Sequence, residues 1–286
     1  MNKNRMRTRE ILVLMFAALL VSSVDAQYFD TILEVSELNG SNGFALIGES
    51  AGDDSGAAVS GIGDINDDGI ADLIVGAPFA DTAQQDAGIS YVMFGGPDLN
   101  GPFSDVFLSG LNGTNGFALL GASAEDNSGA AVGFAGDVNA DGSADLVIGA
   151  PSADPNGASS GTSYVLYGGP DLNPNQFSGL FLSAIDNTTG LVLLGGSEGD
   201  ISGASVAAAG DVNADGHDDL MIGAPGASPG NRAGAGNTYV VFGGPGFGGG
   251  FDAIFLSGLN GTNGFALTGV DAGDESGLSV SGTAVP

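Results

Sequence analysis

Apolar residues come in short runs broken by clusters of Gly, Asn, Asp and Ser, and no stretch keeps the spacing of an amphipathic helix. This pattern predicts strands. The first is residues 56–63, whose small side chains suit a strand close to a crowded axis. A second covers 73–77 and a third 89–94. An outer pair is expected at 106–109 and 117–120, joined around Asn112-Gly113, a strong tight-turn signal. The same dipeptide stands at Asn39-Gly40 and Asn260-Gly261. These three sites, and Asn187, also match the N-x-[ST] glycosylation sequon. The turn reading is preferred because it explains the glycine as well.

The whole pattern repeats. Residues 38–46 (LNGSNGFAL) return at 111–119 and 259–267, with a drifted copy at 185–193. Tyr-Val-x-aromatic-Gly-Gly-Pro occurs at 91–97, 164–170 and 239–245. Asp-x-Ser-Gly occurs at Asp53, Asp126 and Asp200. Every part recurs at 73 to 75 residues, so one structural unit is repeated. About four strands per unit, repeated radially, describe a propeller blade. A parallel β-helix needs far shorter repeats, and separate sandwich modules need about 100 residues each.

Each unit carries a nine-residue acidic loop reading D-x-N-x-D-G-x-x-D, at 64–72, 137–145 and 211–219. Positions 1, 3, 5 and 9 offer oxygen ligands: Asp64, Asn66, Asp68 and Asp72; Asp137, Asn139, Asp141 and Asp145; Asp211, Asn213, Asp215 and Asp219. Position 7 varies (Ile70, Ser143, His217), as expected where only the carbonyl is used. Position 6 is always Gly, where the chain must turn. Hard oxygen donors at irregular reach suit Ca²⁺ better than Mg²⁺, so three calcium sites are expected. An EF-hand is excluded, because its position-12 Glu is replaced by Val75, Ile148 and Ile222. A single copy could be a solvated turn. Three copies in register favour metal.

Residues 1–26 read as a secretory signal peptide, with Lys3, Arg5, Arg7 and Arg9 ahead of an apolar stretch at 11–21 and small residues before Gln27. Its removal leaves one base, Arg232, against 32 acids, a formal charge of −31. That charge excludes nucleic acid as a partner and disfavours anionic membranes. No Cys is present, so neither disulfides nor a thiol nucleophile enter. The one His, His217, lies in an acidic loop, and no nucleophile elbow or phosphate loop is found. A non-catalytic protein is expected.

The stretches GDINDDGIADLIVGAP, GDVNADGSADLVIGAP and GDVNADGHDDLMIGAP resemble FG-GAP repeats, which build the β-propeller at the head of integrin α subunits and occur in bacterial secreted proteins. The resemblance spans residues 29–284. It implies a calcium loop between the first two strands of each blade, with the fifteen residues named above as ligands, and partners bound on the opposite face. The family's Phe-Gly is here Ser-Gly, at Ser55, Ser128 and Ser202. Repeats are expected at about 44–116, 117–190 and 191–264, with a truncated one at 265–286, where Val285 stands in place of the first loop Asp. The expectation is thus a propeller segment over 27–286 forming an open arc, cut from a longer array or paired with another chain, and able to self-associate through its open blade edge. Two functions follow from the resemblance: a secreted or cell-surface calcium-binding module that adheres to an extracellular protein or glycan, or the accessory propeller of a larger secreted polysaccharide-active enzyme.

Overall fold

The computed structural model describes residues 38, 42–96, 105–172, 179–247 and 253–282. The leader at 1–26, the Asn39-Gly40 turn and Val285 lie outside the described residues. After β1 (Ala45–Ile47), the strands β2 (Ala58–Gly63), β3 (Asp72–Ala77) and β4 (Ile89–Met93) form an antiparallel meander. The short β5 (Asp105–Phe107) follows, and β6 (Gly116–Leu120) then completes the first sheet beside β4. The second unit repeats the plan with β7 (Ala131–Gly136), β8 (Asp145–Ala150), β9 (Thr162–Leu166), β10 (Gly179–Phe181) and β11 (Gly190–Leu194), of which all but β10 form the second sheet. The third unit has β12 (Ser205–Gly210), β13 (Asp219–Ala224), β14 (Asn237–Val241), β15 (Ala253–Phe255) and β16 (Gly264–Thr268), of which all but β15 form the third sheet. β3 and β8 are buried along their whole length, as their unbroken apolar runs require of strands covered on both faces.

The expected outer pair does not form. β5 leaves β6 and runs parallel to β1, which lies outside the first sheet. Likewise β10 lies parallel to β6, and β15 to β11. Each unit therefore lends a short strand to the sheet before it. The chain is steered away by a 3-10 turn after each lent strand, which buries Leu108, Leu182 or Leu256. The Asn112-Gly113 turn closes on itself instead, with Gly113 N–H donating to the Gly116 carbonyl at 2.8 Å.

The core lies between sheets. Ile74, Val92, Phe117 and Leu119 of the first sheet pack on Val132, Leu146, Ile148 and Tyr164 of the second. Val147, Val165, Leu191 and Leu193 pack in the same way on Leu220, Ile222 and Tyr239 of the third. Backbone hydrogen bonds stitch these faces together at the Asp-x-Ser-Gly segments, of which residues 274–277 are a fourth copy: Ser128 N–H donates to the Ala87 carbonyl, Ser202 to Ser160, and Ser276 to Ala235. The architecture is an all-β arc of propeller-like blades whose sheets do not close into a ring.

The second residue of each such segment has a left-handed backbone: Asp54, Asn127, Ile201 and Glu275, with φ between 51° and 55°. Asp and Asn tolerate this conformation, but a β-branched residue does not. Ile201→Asn, copying Asn127, should stabilise the protein by about 1 kcal/mol. Thermal unfolding checks this, as a rise of about 2–4 °C.

Candidate metal centre

Each acidic loop joins the first and second strands of its sheet, leaving β2, β7 or β12 at a bulge. Inside the loop the side chains fold back on their own backbone in one pattern. The Asp64 carboxylate accepts the N–H groups of Asp68 (2.9 Å) and Gly69 (2.6 Å). The Asn66 Oδ1 accepts Asp68 N–H, and Asp68 Oδ1 accepts Ile70 N–H. The second loop repeats every one of these bonds through Asp137, Asn139 and Asp141, and the third through Asp211, Asn213 and Asp215. Gly69, Gly142 and Gly216 turn with φ between 88° and 95°, which explains the invariant glycine.

The ninth residue does something the spacing did not reveal. Asp72 accepts Ile65 N–H through Oδ2 and Gly95 N–H through Oδ1, which pins the loop to the end of β4. Asp145 holds Val138 and Gly168 in the same way, and Asp219 holds Val212 and Gly243. All three carboxylates are buried, Asp145 to 0% exposure. Burial pushes the Asp72 carboxyl up to about 6 and the Asp145 carboxyl up to about 8, and raises that of Asp219; neighbouring loop aspartates add to each shift.

Neighbouring loops also touch. Ser143 Oγ donates to Asp67 Oδ2 at 3.0 Å, and Asp137 N–H donates to Asp218 Oδ2 at 3.1 Å. Asp67 and Asp218 sit at the loop positions that vary, so repeat comparison passes over them. His217 donates its backbone N–H to Asp215, and its ring lies against Gly244.

Among the described residues, no three acidic or histidine side chains are drawn together into a ready-made metal cage. The donor set nevertheless fits a hard divalent cation. It consists of oxygen only, and each loop carboxylate oxygen accepts a single hydrogen bond here while having room for more. Asp64, Asn66, Asp68, Asp72 and the Ile70 carbonyl, with their counterparts, would hold it. A bound cation would supply the positive charge that the buried carboxylates lack. Beside the second loop, a groove of about 760 Å³ is lined by Asn139, Asp141 and Thr188 together with Tyr167, Leu180 and Phe247.

No described helix is long and apolar enough to cross a membrane. Comparison with curated proteins found no match. The family model for the FG-GAP repeat matches residues 55–93, 128–166 and 202–241, each stretch running from the Ser-Gly segment through the acidic loop to the third strand of its sheet. The chain therefore carries three FG-GAP repeats, laid out as an arc of blades that resembles part of the integrin α propeller.

Proposed function

We propose that this protein is a secreted, non-catalytic module that binds three calcium ions and uses the stiffened arc to recognise a protein or glycan outside the cell. The observation that carries the calcium reading is the thrice-repeated loop, in which one hydrogen-bond pattern orders an all-oxygen donor set around a buried, uncompensated aspartate. Secretion is supported by the leader-like residues 1–26 and by the lopsided charge, which favours an ion-rich exterior over contact with nucleic acid. Recognition is supported by the groove at the second loop, whose lining combines the aromatic Tyr167 and Phe247 with amide, hydroxyl and carboxylate groups, a mixture suited to sugars.

Calcium titration of the chelator-treated protein by calorimetry is the test. Three sites are expected, with dissociation constants of about 10⁻⁴ to 10⁻³ M. Asp141→Ala should reduce the stoichiometry to two while leaving the other sites intact. An unchanged stoichiometry in that variant refutes the ligand assignment, and absence of any calcium heat refutes the metal reading. A glycan and matrix-protein binding screen, run with calcium and with chelator, addresses the ligand.

A further inference from the structure

We propose that β16 of one molecule takes the place of β1 in a second copy, pairing in parallel with that copy's β5, so that two arcs join head to tail. The last strand of each sheet shows why β16 is incomplete. β6 is covered by β10 and β11 by β15, and their side chains Phe117, Leu119, Leu191 and Leu193 are buried. β16 pairs only with β14 among the described residues, and its other edge carries no strand. Its equivalents of those residues, Phe265 and Leu267, are 37% and 54% exposed. An apolar strand with a free edge is a template for another chain.

The occupant is named by sequence and register. Residues 259–269 and 38–48 are identical at nine of eleven positions. Both enter their strand through a glycine of the same backbone shape, Gly264 with φ 137° and Gly43 with φ 146°. β1 is the strand that β5 already covers, with Ala45 opposite Asp105, Leu46 opposite Val106 and Ile47 opposite Phe107. Exchange would place Ala266, Leu267 and Thr268 opposite the same three residues of the second copy. The exchange of near-identical strands costs little.

The gain comes from what lies around them. Val59 on β2 is 45% exposed, whereas its counterparts Val132 and Val206 are buried against the preceding sheet. In the joined arcs, the third sheet of one molecule becomes the preceding sheet of the next. It covers Val59 as the first sheet covers Val132. Two arcs of three sheets make six, within the 4 to 8 blades that close a propeller. The contact is heterologous and closes if each junction turns by half a circle, so a dimer is expected rather than a filament.

The chain contains no cysteine, so engineered crosslinks are unambiguous. Ala45→Cys with Asp105→Cys locks β1 onto β5. Asp105→Cys with Ala266→Cys reports the exchanged pair. Light scattering after gel filtration should show a doubled mass for the unaltered protein at micromolar concentration and physiological salt. The locked variant should be monomeric when oxidised and dimeric when reduced. The reporter pair should give a disulfide-linked dimer. Leu267→Asp, at a half-exposed position, should give a monomer with an unchanged circular dichroism spectrum. A monomeric unaltered protein overturns the proposal and leaves the face to a further stretch of polypeptide. A dimer that survives the lock overturns it as well, because association then runs through another surface. None of these variants touches an acidic loop, so their outcome is separate from that of the calcium titration.

Discussion

Adding about 10 mM calcium to the chelated protein is expected to raise its melting temperature by about 8–32 °C. With dissociation constants of about 10⁻⁴ to 10⁻³ M, each site contributes about 1.4–2.7 kcal/mol at that concentration, and three sites about 4–8 kcal/mol. For a domain of this size, each kcal/mol moves the midpoint by about 2–4 °C. The sign of the pH dependence provides a second reading of the same experiment. Asp72, Asp145 and Asp219 have folded-state values raised above their unfolded ones, to about 6 and about 8 for the first two. Their contribution to stability is fully present below the unfolded value of about 4 and is lost as pH rises through the folded values. In chelator, melting temperature should therefore fall between about pH 4 and pH 8. In calcium the ionised carboxylates become ligands, and the slope over that range should reverse. Melting curves that coincide in calcium and chelator at every pH would refute the stabilising role of the ion.

How much of this was legible in the sequence depends on the range of each interaction. The loop hydrogen bonds run from Asp64 to Asp68 and Gly69, four and five residues on. Local patterns of this kind show in a repeat of Asp, Asn and Gly. The central strands were legible too, because Leu73 to Ala77 forms an unbroken apolar run. The outer strands misled because a strand of three residues such as Asp105–Phe107 contains no signal of its partner. A turn dipeptide nearby pointed to a hairpin, whereas the partner lies about sixty residues upstream, at Ala45–Ile47. The ninth loop residue was visible as an acid, but its bond to Gly95 spans 23 residues and depends on where β4 ends. Asp67 and Asp218 were passed over for the opposite reason. They are not repeated, and the contacts they make exist only because neighbouring loops sit side by side.

The glycine of each Gly-Ala-Pro run is the second case where distance hid a role, and Gly149→Ala is expected to cost about 3 kcal/mol or more. A methyl group on Gly149 would lie 2.0 Å from the Gly203 carbonyl oxygen of the next sheet. Gly76 faces Gly129 at the same distance, and Gly223 faces Gly277 at 1.9 Å. The opposing atom is backbone, so no side chain can swing aside. Gly203 is itself held, its N–H donating to the Gly223 carbonyl at 2.9 Å. The same bond joins Gly56 to Gly76 and Gly129 to Gly149, so the seven glycines form one seam along the arc. To admit the methyl, the second and third sheets must part by more than 1 Å, since non-bonded heavy atoms prefer about 3.5 Å or more. That opens the buried contact of Val147, Val165 and Leu191 with Leu220 and Ile222. Thermal unfolding should show a midpoint lowered by about 6–12 °C. Gly61→Ala is the control, because a methyl there meets nothing within 4 Å. It changes the same residue type on β2, at the edge of the first sheet, and should leave the midpoint within about 2 °C. Equal losses in the two variants would mean that glycine acts through chain flexibility. A loss confined to Gly149→Ala would mean that it acts by letting neighbouring sheets meet backbone to backbone.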